Sequence, residues 1–272
     1  SRGIFKKDDA EVGPLMEEIL KEDEVELITG FKVKKVKKAG SRISVMLKNE
    51  DDELELNADA LLIAMGKKPE TGSLGLESAG IELDERGFIK TDAMMRTTCK
   101  NIFACGDVAG PYQFTHMAGY QAGIIIRNII FRMRAKADYS KVSWSTFTSP
   151  EVAHAGLTEQ MAREEGKYVR HILIPLEKMD RAKADSHRKG FLKLIVGRKN
   201  RVIGATVVGP KAGDMISLAS LAISKKMKTE EFAGLIFPYP TESEIFKTAS
   251  LELVKMDFKP WQKKLVKTIF LR

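Results

Sequence analysis

The sequence predicts an α/β region that gives way, near Lys141, to an α+β domain. Three observations carry this. Residues 60–66, Ala-Leu-Leu-Ile-Ala-Met-Gly, are continuously apolar, as a central strand buried on both faces requires. Ile102, Phe103 and Ala104 read as a short apolar strand that ends on Gly106 and brings one carboxylate, Asp107, to its C-terminal edge. Open α/β sheets bind their ligands beyond the carboxyl ends of strands. After Lys141, residues 190–196 and 202–209 read as paired strands joined by the turn Gly197-Arg198-Lys199-Asn200, and a helix follows with Met215, Ile216, Ala219, Ile223 and Met227 on one face.

The remaining elements follow in order. Asp8 is predicted to cap a helix, with Glu11 completing a capping box and Val12, Leu15, Met16, Ile19 and Leu20 forming its apolar stripe. Residues 25–30 read as a strand, and 31–38, 42–48 and 54–56 as a small meander with turns at 39–41 and 49–52. Gly66-Lys67-Lys68-Pro69 breaks the apolar strand abruptly, and residues 80–87 give a hairpin signal. Residues 113–136 carry apolar side chains nearly all round, the pattern of a buried helix. Thr148 to Glu159 leads from an edge strand into a helix capped at Thr158 and stopped by Gly166.

Composition narrows the function classes. In 272 residues, 43% are hydrophobic and nine are proline, so the chain has ample core for two domains or one large one. The longest apolar candidate for a membrane span, Ile124 to Phe131, is short and interrupted by Arg127. No secretory h-region is evident, and two cysteines make no disulfide framework, so a cytoplasmic location is expected. The net charge of +8 is spread along the chain, and its densest cluster, residues 32–38, interleaves its lysines with two valines like a solvent-facing strand. Nucleic-acid binding is not expected, because no zinc-finger, RNA-recognition or zipper pattern accompanies the charge. No residue is assigned to a metal.

The block from Thr97 to Asp107, T-T-x-x-x-I-F-A-x-G-D, resembles the second flavin motif of the FAD-dependent pyridine nucleotide–disulfide oxidoreductases. Residues 64–69 resemble the A-T-G-R-x-P turn that closes the NAD(P) domain of that family, with Met65 and Lys67 as conservative departures. Further on, F-T-x-P-E-V-A-x-x-G-L-T-E, G-F-x-K and I-x-G-A-x-x-V-G have counterparts in the order of the family's interface domain. The resemblance implies a partial FAD/NAD(P)-binding Rossmann-like region followed by an α+β interface, or dimerisation, domain. It divides the chain into the C-terminal half of an NAD(P) domain (1–72), the C-terminal part of an FAD domain (73–140) and the interface domain with a basic tail (141–272).

The resemblance also implies site residues. Gly106 and Asp107 hold FAD, the carboxylate on its ribityl chain; Gln113, Phe114, Thr115 and His116, at a helix start, contact the flavin; Gly66 lies beside the dinucleotide. The residues themselves leave a plainer reading open for 113–116, a satisfied helix start with His116 bonded locally. The implied cofactors are FAD and NAD(P)H, and the implied partners are a second copy of the chain and a small-molecule electron acceptor.

Phe237-Pro238-Tyr239-Pro240-Thr241-Glu242-Ser243-Glu244 matches the H-P-T-x-x-E block of dihydrolipoamide dehydrogenase and glutathione reductase, where the histidine is a base and the glutamate orients it. Here Tyr239 stands at the histidine position. A phenol, with a reference pKa near ~10, is a donor at neutral pH and a poor base. Mercuric reductases also carry F-P-Y, but they end in a cysteine pair, whereas this chain ends Thr-Ile-Phe-Leu-Arg. Two readings stand for Glu244, an N-terminal cap with Thr241 or an active-site orienter. Tyr239 is either an interface aromatic or a group facing the acceptor.

The family's G-x-G-x-x-G turns and C-x-x-x-x-C pair do not occur, and Cys99 and Cys105 are separated by five residues, so both are read as structural. The chain is therefore expected to be the C-terminal half of an enzyme, inactive alone. The rival reading is a dimerisation or interaction module with a vestigial nucleotide site. The tail from Phe258 to Arg272, opened as a helix by Pro260, mixes basic and apolar residues. It is expected to pack on the dimer or to touch an anionic membrane surface weakly.

Overall fold

A computed structural model describes residues 3–259, 261–262 and 268–269. The chain forms two compact units. One joins the residues up to Asn57 to those from Ser140 onward, and the other is Ala58–Tyr139.

The first unit begins with helix α1 (Val12–Glu22), whose Val12, Met16 and Ile19 are buried at the spacing of one helical face. Asp8 does not cap it. Its carboxylate accepts a hydrogen bond from Trp144 Nε1 (3.2 Å), Asp9 accepts from the backbone N–H of Glu159 (2.9 Å), and the helix starts three residues beyond the expected cap, at Glu11. Donors distant in sequence win these carboxylates, which local capping rules cannot anticipate. Residues 25–30 form no strand. The meander is found as expected: β1 (Lys32–Ala39), β2 (Arg42–Lys48) and β3 (Glu53–Ala58) make a sheet in that order, with β1 and β2 antiparallel.

The second unit is mostly turns around one helix. Residues 60–66, expected as a buried central strand, pair with no strand among the described residues. Leu62, Ile63 and Met65 are 89%, 72% and 84% exposed. A parallel strand exists only through its neighbours, and here it has none. The hairpin signal at 80–87 is realised as a turn closed by the Leu83–Ile89 bridge, and the run 102–104 pairs only through Phe103 with Arg96. Helix α2 (Thr115–Ile129) buries Met117, Gln121 and Ile124 but exposes Ile126 and Ile129, so it is covered on one side rather than all round.

The rest of the first unit is built on a five-stranded antiparallel sheet of order β4-β5-β8-β7-β6. Its strands are β4 (Ser143–Thr146), β5 (Glu151–Gly156), β6 (Arg170–Pro175), β7 (Phe191–Val196) and β8 (Val202–Gly209). Short helices α3 (Glu159–Glu164) and α4 (Asp180–Ala184) connect strands; α5 (Ala212–Lys225) and α6 (Ile245–Asp257) pack on one face over Leu192, Leu194 and Val207. Helix α1 covers the other face over Val152, Phe191 and Val208. Thr158 caps α3 as expected, accepting from the Met161 N–H (3.2 Å). Gly204 permits close passage of the chain, since a Cβ there would lie 1.8 Å from the Leu157 carbonyl oxygen.

Under α1 the sheet carries a row of polar side chains. Lys193, Thr206 and His154 stand in register across β7, β8 and β5, all fully or nearly fully buried. Thr206 Oγ1 donates to Asp9 Oδ2, while Lys193 Nζ binds Glu11 Oε2 (2.7 Å) and Glu159 Oε2 (2.8 Å) and lies 3.4 Å from Asp9 Oδ1. Burial by itself raises the Glu159 carboxyl, but hydrogen bonds from Lys193 and Arg163 outweigh it and hold that group at about 2.

No helix among the described residues is long and apolar enough to cross a membrane. Of the tail, Pro260, Lys263, Lys264, Leu265, Val266, Lys267, Phe270, Leu271 and Arg272 lie outside the described residues, and so does the helix expected to open at Pro260.

Candidate flavin and acceptor sites

Gly106 and Asp107 open a short 3-10 turn, Gly106–Val108, that precedes α2. Gly106 has φ +79°, and a Cβ there would come within 3.2 Å of the Ala118 Cβ, so the turn demands glycine on two counts. Its N–H donates to Oε1 of the fully buried Gln121 (2.6 Å). The Gln121 amide nitrogen donates in turn to the Gly110 carbonyl (2.8 Å) and the Tyr139 hydroxyl (2.9 Å). One buried amide therefore fixes the turn against the helix that follows it.

Asp107 points outward, its side chain 44% exposed, and Lys67 Nζ binds its Oδ2 at 3.0 Å. The same ammonium donates to the Gln113 carbonyl, also at 3.0 Å. A carboxylate offers about four acceptor positions, so Asp107 keeps capacity for a hydroxyl donor. Phe114 is the N-cap residue of α2 and no side chain caps the helix there. The rings of Phe114 and His116 stack at 5.2 Å, and Tyr112 stacks on Phe114 at 6.0 Å. Gln113 Nε2 is buried without a hydrogen-bond partner among the described residues. An orphaned donor beside an exposed carboxylate and an uncapped helix N-terminus suits a ligand that carries acceptors, hydroxyls and negative charge, as a flavin dinucleotide does.

The expected residues thus gather in part. Gly106, Asp107 and Gln113 are linked directly or through Lys67, and Phe114 and His116 form an aromatic step beside them. Gly66, at φ +107°, adjoins Lys67 in the chain, and Thr115 is exposed at the first position of α2. Two contributors escaped sequence reasoning. Lys67 registered only as a departure from a turn motif, and Gln121 is a polar residue within an apolar run, the one signal that could have marked it.

The acceptor-side residues lie in the other unit. Tyr239 is 72% exposed and donates its hydroxyl to Asp180 Oδ2 (3.1 Å). The hydrogen bond to Asp180 and its charge hold the phenol above its ordinary value, so it remains a neutral donor. Glu244 Oε2 accepts from the Thr241 N–H at 3.3 Å, half of a capping box ahead of α6. Cys99 and Cys105 are both free thiols.

Two family models match this chain, the pyridine nucleotide-disulphide oxidoreductase over residues 2–122 and the dimerisation domain of the same proteins over 142–250. The chain belongs to the pyridine nucleotide–disulphide oxidoreductase family. Its members depend on FAD and NAD(P)H, and the fold class expected from sequence, a Rossmann-like nucleotide region followed by a dimerisation domain, is the family's. A mercuric reductase of Staphylococcus aureus is 36% identical over 256 residues, 94% of this chain and 47% of that protein. A dihydrolipoyl dehydrogenase of Bacillus subtilis (strain 168) is 37% identical over 226 residues, 83% of this chain and 48% of that protein. Among solved structures, the HOCl-induced flavoprotein disulfide reductase RclA from Escherichia coli superimposes with a TM-score of 0.84 at 29% identity, covering 91% of this chain and 56% of RclA. The chain spans about half the length of the curated relatives it matches.

Proposed function

We propose that this chain is the C-terminal half of a homodimeric, cytoplasmic flavin-dependent NAD(P)H oxidoreductase, mercuric-reductase-like, with a small-molecule electron acceptor. The observation that carries this reading is the Gly106–Asp107 turn, fixed by buried Gln121, together with Gln113 Nε2 at the approach to α2, which has no hydrogen-bond partner among the described residues. FAD would supply the carrier between nicotinamide and a redox disulfide that this chain lacks. Asp107 would accept from its ribityl hydroxyls, Gln113 would donate to it, and Phe114, Thr115 and His116 would line it, with Gly66 beside the second dinucleotide.

The exposed apolar run at 60–66 supports the same reading, since such a strand needs neighbours that the described residues do not supply. On this reading the chain would divide into 1–72, 73–140 and 141–272, with 141–272 forming the dimer and Tyr239 and Glu244 completing the acceptor pocket of the partner subunit. Tyr239 would donate a hydrogen bond there rather than take a proton.

The test uses the chain and the complete protein side by side. The complete protein should purify yellow and oxidise NADH or NADPH, while this chain alone turns nothing over. A colourless, inert complete protein overturns the enzyme reading in favour of a dimerisation or interaction module.

A further inference from the structure

Away from the flavin turn, three donor groups converge in the first unit. Asp185 and His187 lie in the loop after α4, Glu242 opens the 3-10 turn Glu242–Glu244, and one ligand atom from each falls within 4.8 Å of the other two. The Glu242 side chain is only 5% exposed, its Oε1 lies 4.0 Å from His187 Nδ1, and its Oε2 is buried with no hydrogen-bond partner among the described residues. A buried carboxylate oxygen with nothing to bind is costly, and it persists where something external satisfies it.

We propose that Asp185, His187 and Glu242 bind one divalent transition-metal ion, of which Zn²⁺ is the representative case. One imidazole and two carboxylates suit zinc and its neighbours, whereas calcium and magnesium require more oxygen ligands. Zinc–ligand bonds of about 2.0–2.2 Å place donors roughly 3.3 Å apart, so donor atoms that now lie within 4.8 Å of one another need to close by up to about 1.5 Å. His187 is 51% exposed, so its ring has room to turn toward the two carboxylates. Arg181 Nε donates to Asp185 Oδ2 at 2.6 Å, the kind of outer contact that orients a ligating carboxylate. The ion ties the loop after α4 to the turn that follows Tyr239.

A second convergence, Glu11, Glu159 and His171, serves as the internal control. Its carboxylates already hold Lys193 and Arg163, so no cation is called for.

The full chain, stripped with chelator, is titrated with Zn²⁺ by calorimetry beside E242Q, H187Q and H171Q. One saturable equivalent is expected, weakened at least about tenfold by E242Q and by H187Q and unchanged by H171Q. His187 is on the surface, so its replacement leaves the fold intact even if Glu242→Gln does not. Co²⁺ in place of Zn²⁺ should show no thiolate charge-transfer band, which separates this site from Cys99 and Cys105. No saturable binding, binding indifferent to H187Q, or binding lost in H171Q overturns the proposal.

Discussion

Lys67 Nζ lies 3.0 Å from Asp107 Oδ2 and 3.0 Å from the carbonyl oxygen of Gln113. A single ammonium therefore joins the turn after the exposed apolar run, the carboxylate of the flavin-type motif and the approach to α2. Both charged side chains are well exposed, and exposed ion pairs are worth about 0–1 kcal/mol. The pair positions the carboxylate without contributing much to stability.

That magnitude separates two substitutions. Lys67→Met should move the denaturation midpoint of this chain very little. Asp107→Asn in the complete protein removes a charged acceptor worth about 1.5–3 kcal/mol, roughly ten- to a hundredfold in FAD affinity. Equilibrium dialysis of the flavin checks this; unchanged retention in Asp107→Asn would mean the carboxylate faces no hydroxyl.

Gln121→Leu should behave differently, as a folding defect. It strands the buried Gly106 N–H and removes the donor to the buried Gly110 carbonyl and to the half-buried Tyr139 hydroxyl. Leaving such groups unpaired costs about 1–3 kcal/mol each, so urea unfolding of Ala58–Tyr139 should shift well below wild type. A shift of less than about 0.5 kcal/mol would show that water replaces the amide.

Lys193→Met should cost about 3 kcal/mol or more, because it abandons the carboxylates of Asp9 and Glu159 in a site where the lysine is 1% exposed. The same cluster sets an acid limit. Glu159 is held at about 2, below its ordinary value of 4.5, so its contribution is complete above pH 4.5 and fades as pH falls toward 2. Melting temperatures recorded from pH 6 to 2 should fall most steeply in that window, and the fall should be shallower in Lys193→Met.

What the sequence disclosed depended on how local each signal was. The Thr158 cap and the strands of β7 and β8 are contiguous patterns, and each is present where expected, whereas the strand read at 102–104 is reduced to a single bridge at Phe103. Asp8 failed as a cap because Trp144, far along the chain, supplies its donor. The strand at 60–66 failed because hydrophobicity marks a segment that wants partners, not one that has them. G-F-x-K was visible as a motif, but the role of Lys193 was not. Its three carboxylates come from residues 9, 11 and 159, which only the packing of α1 on the sheet brings together. The Asp185, His187 and Glu242 cluster was invisible for the same reason, since its parts lie on separate segments.

Tyr239 gives the sharpest functional prediction. Its hydroxyl donates to Asp180 from an exposed position, so Tyr239→Phe should change stability by less than about 0.5 kcal/mol. If the phenol donates to an acceptor in the complete enzyme, Tyr239→Phe should lower acceptor reduction while leaving the rate of flavin reduction by NAD(P)H unchanged. Tyr239→His goes further, because it places an imidazole of pKa near ~6.5 where the phenol cannot serve as a base. That variant should gain activity toward a dithiol or disulfide substrate, with a pH profile that rises through neutrality as the imidazole loses its proton. Stopped-flow spectra of the flavin separate the two half-reactions. Equal slowing of both by Tyr239→Phe would assign the residue to structure rather than to the acceptor.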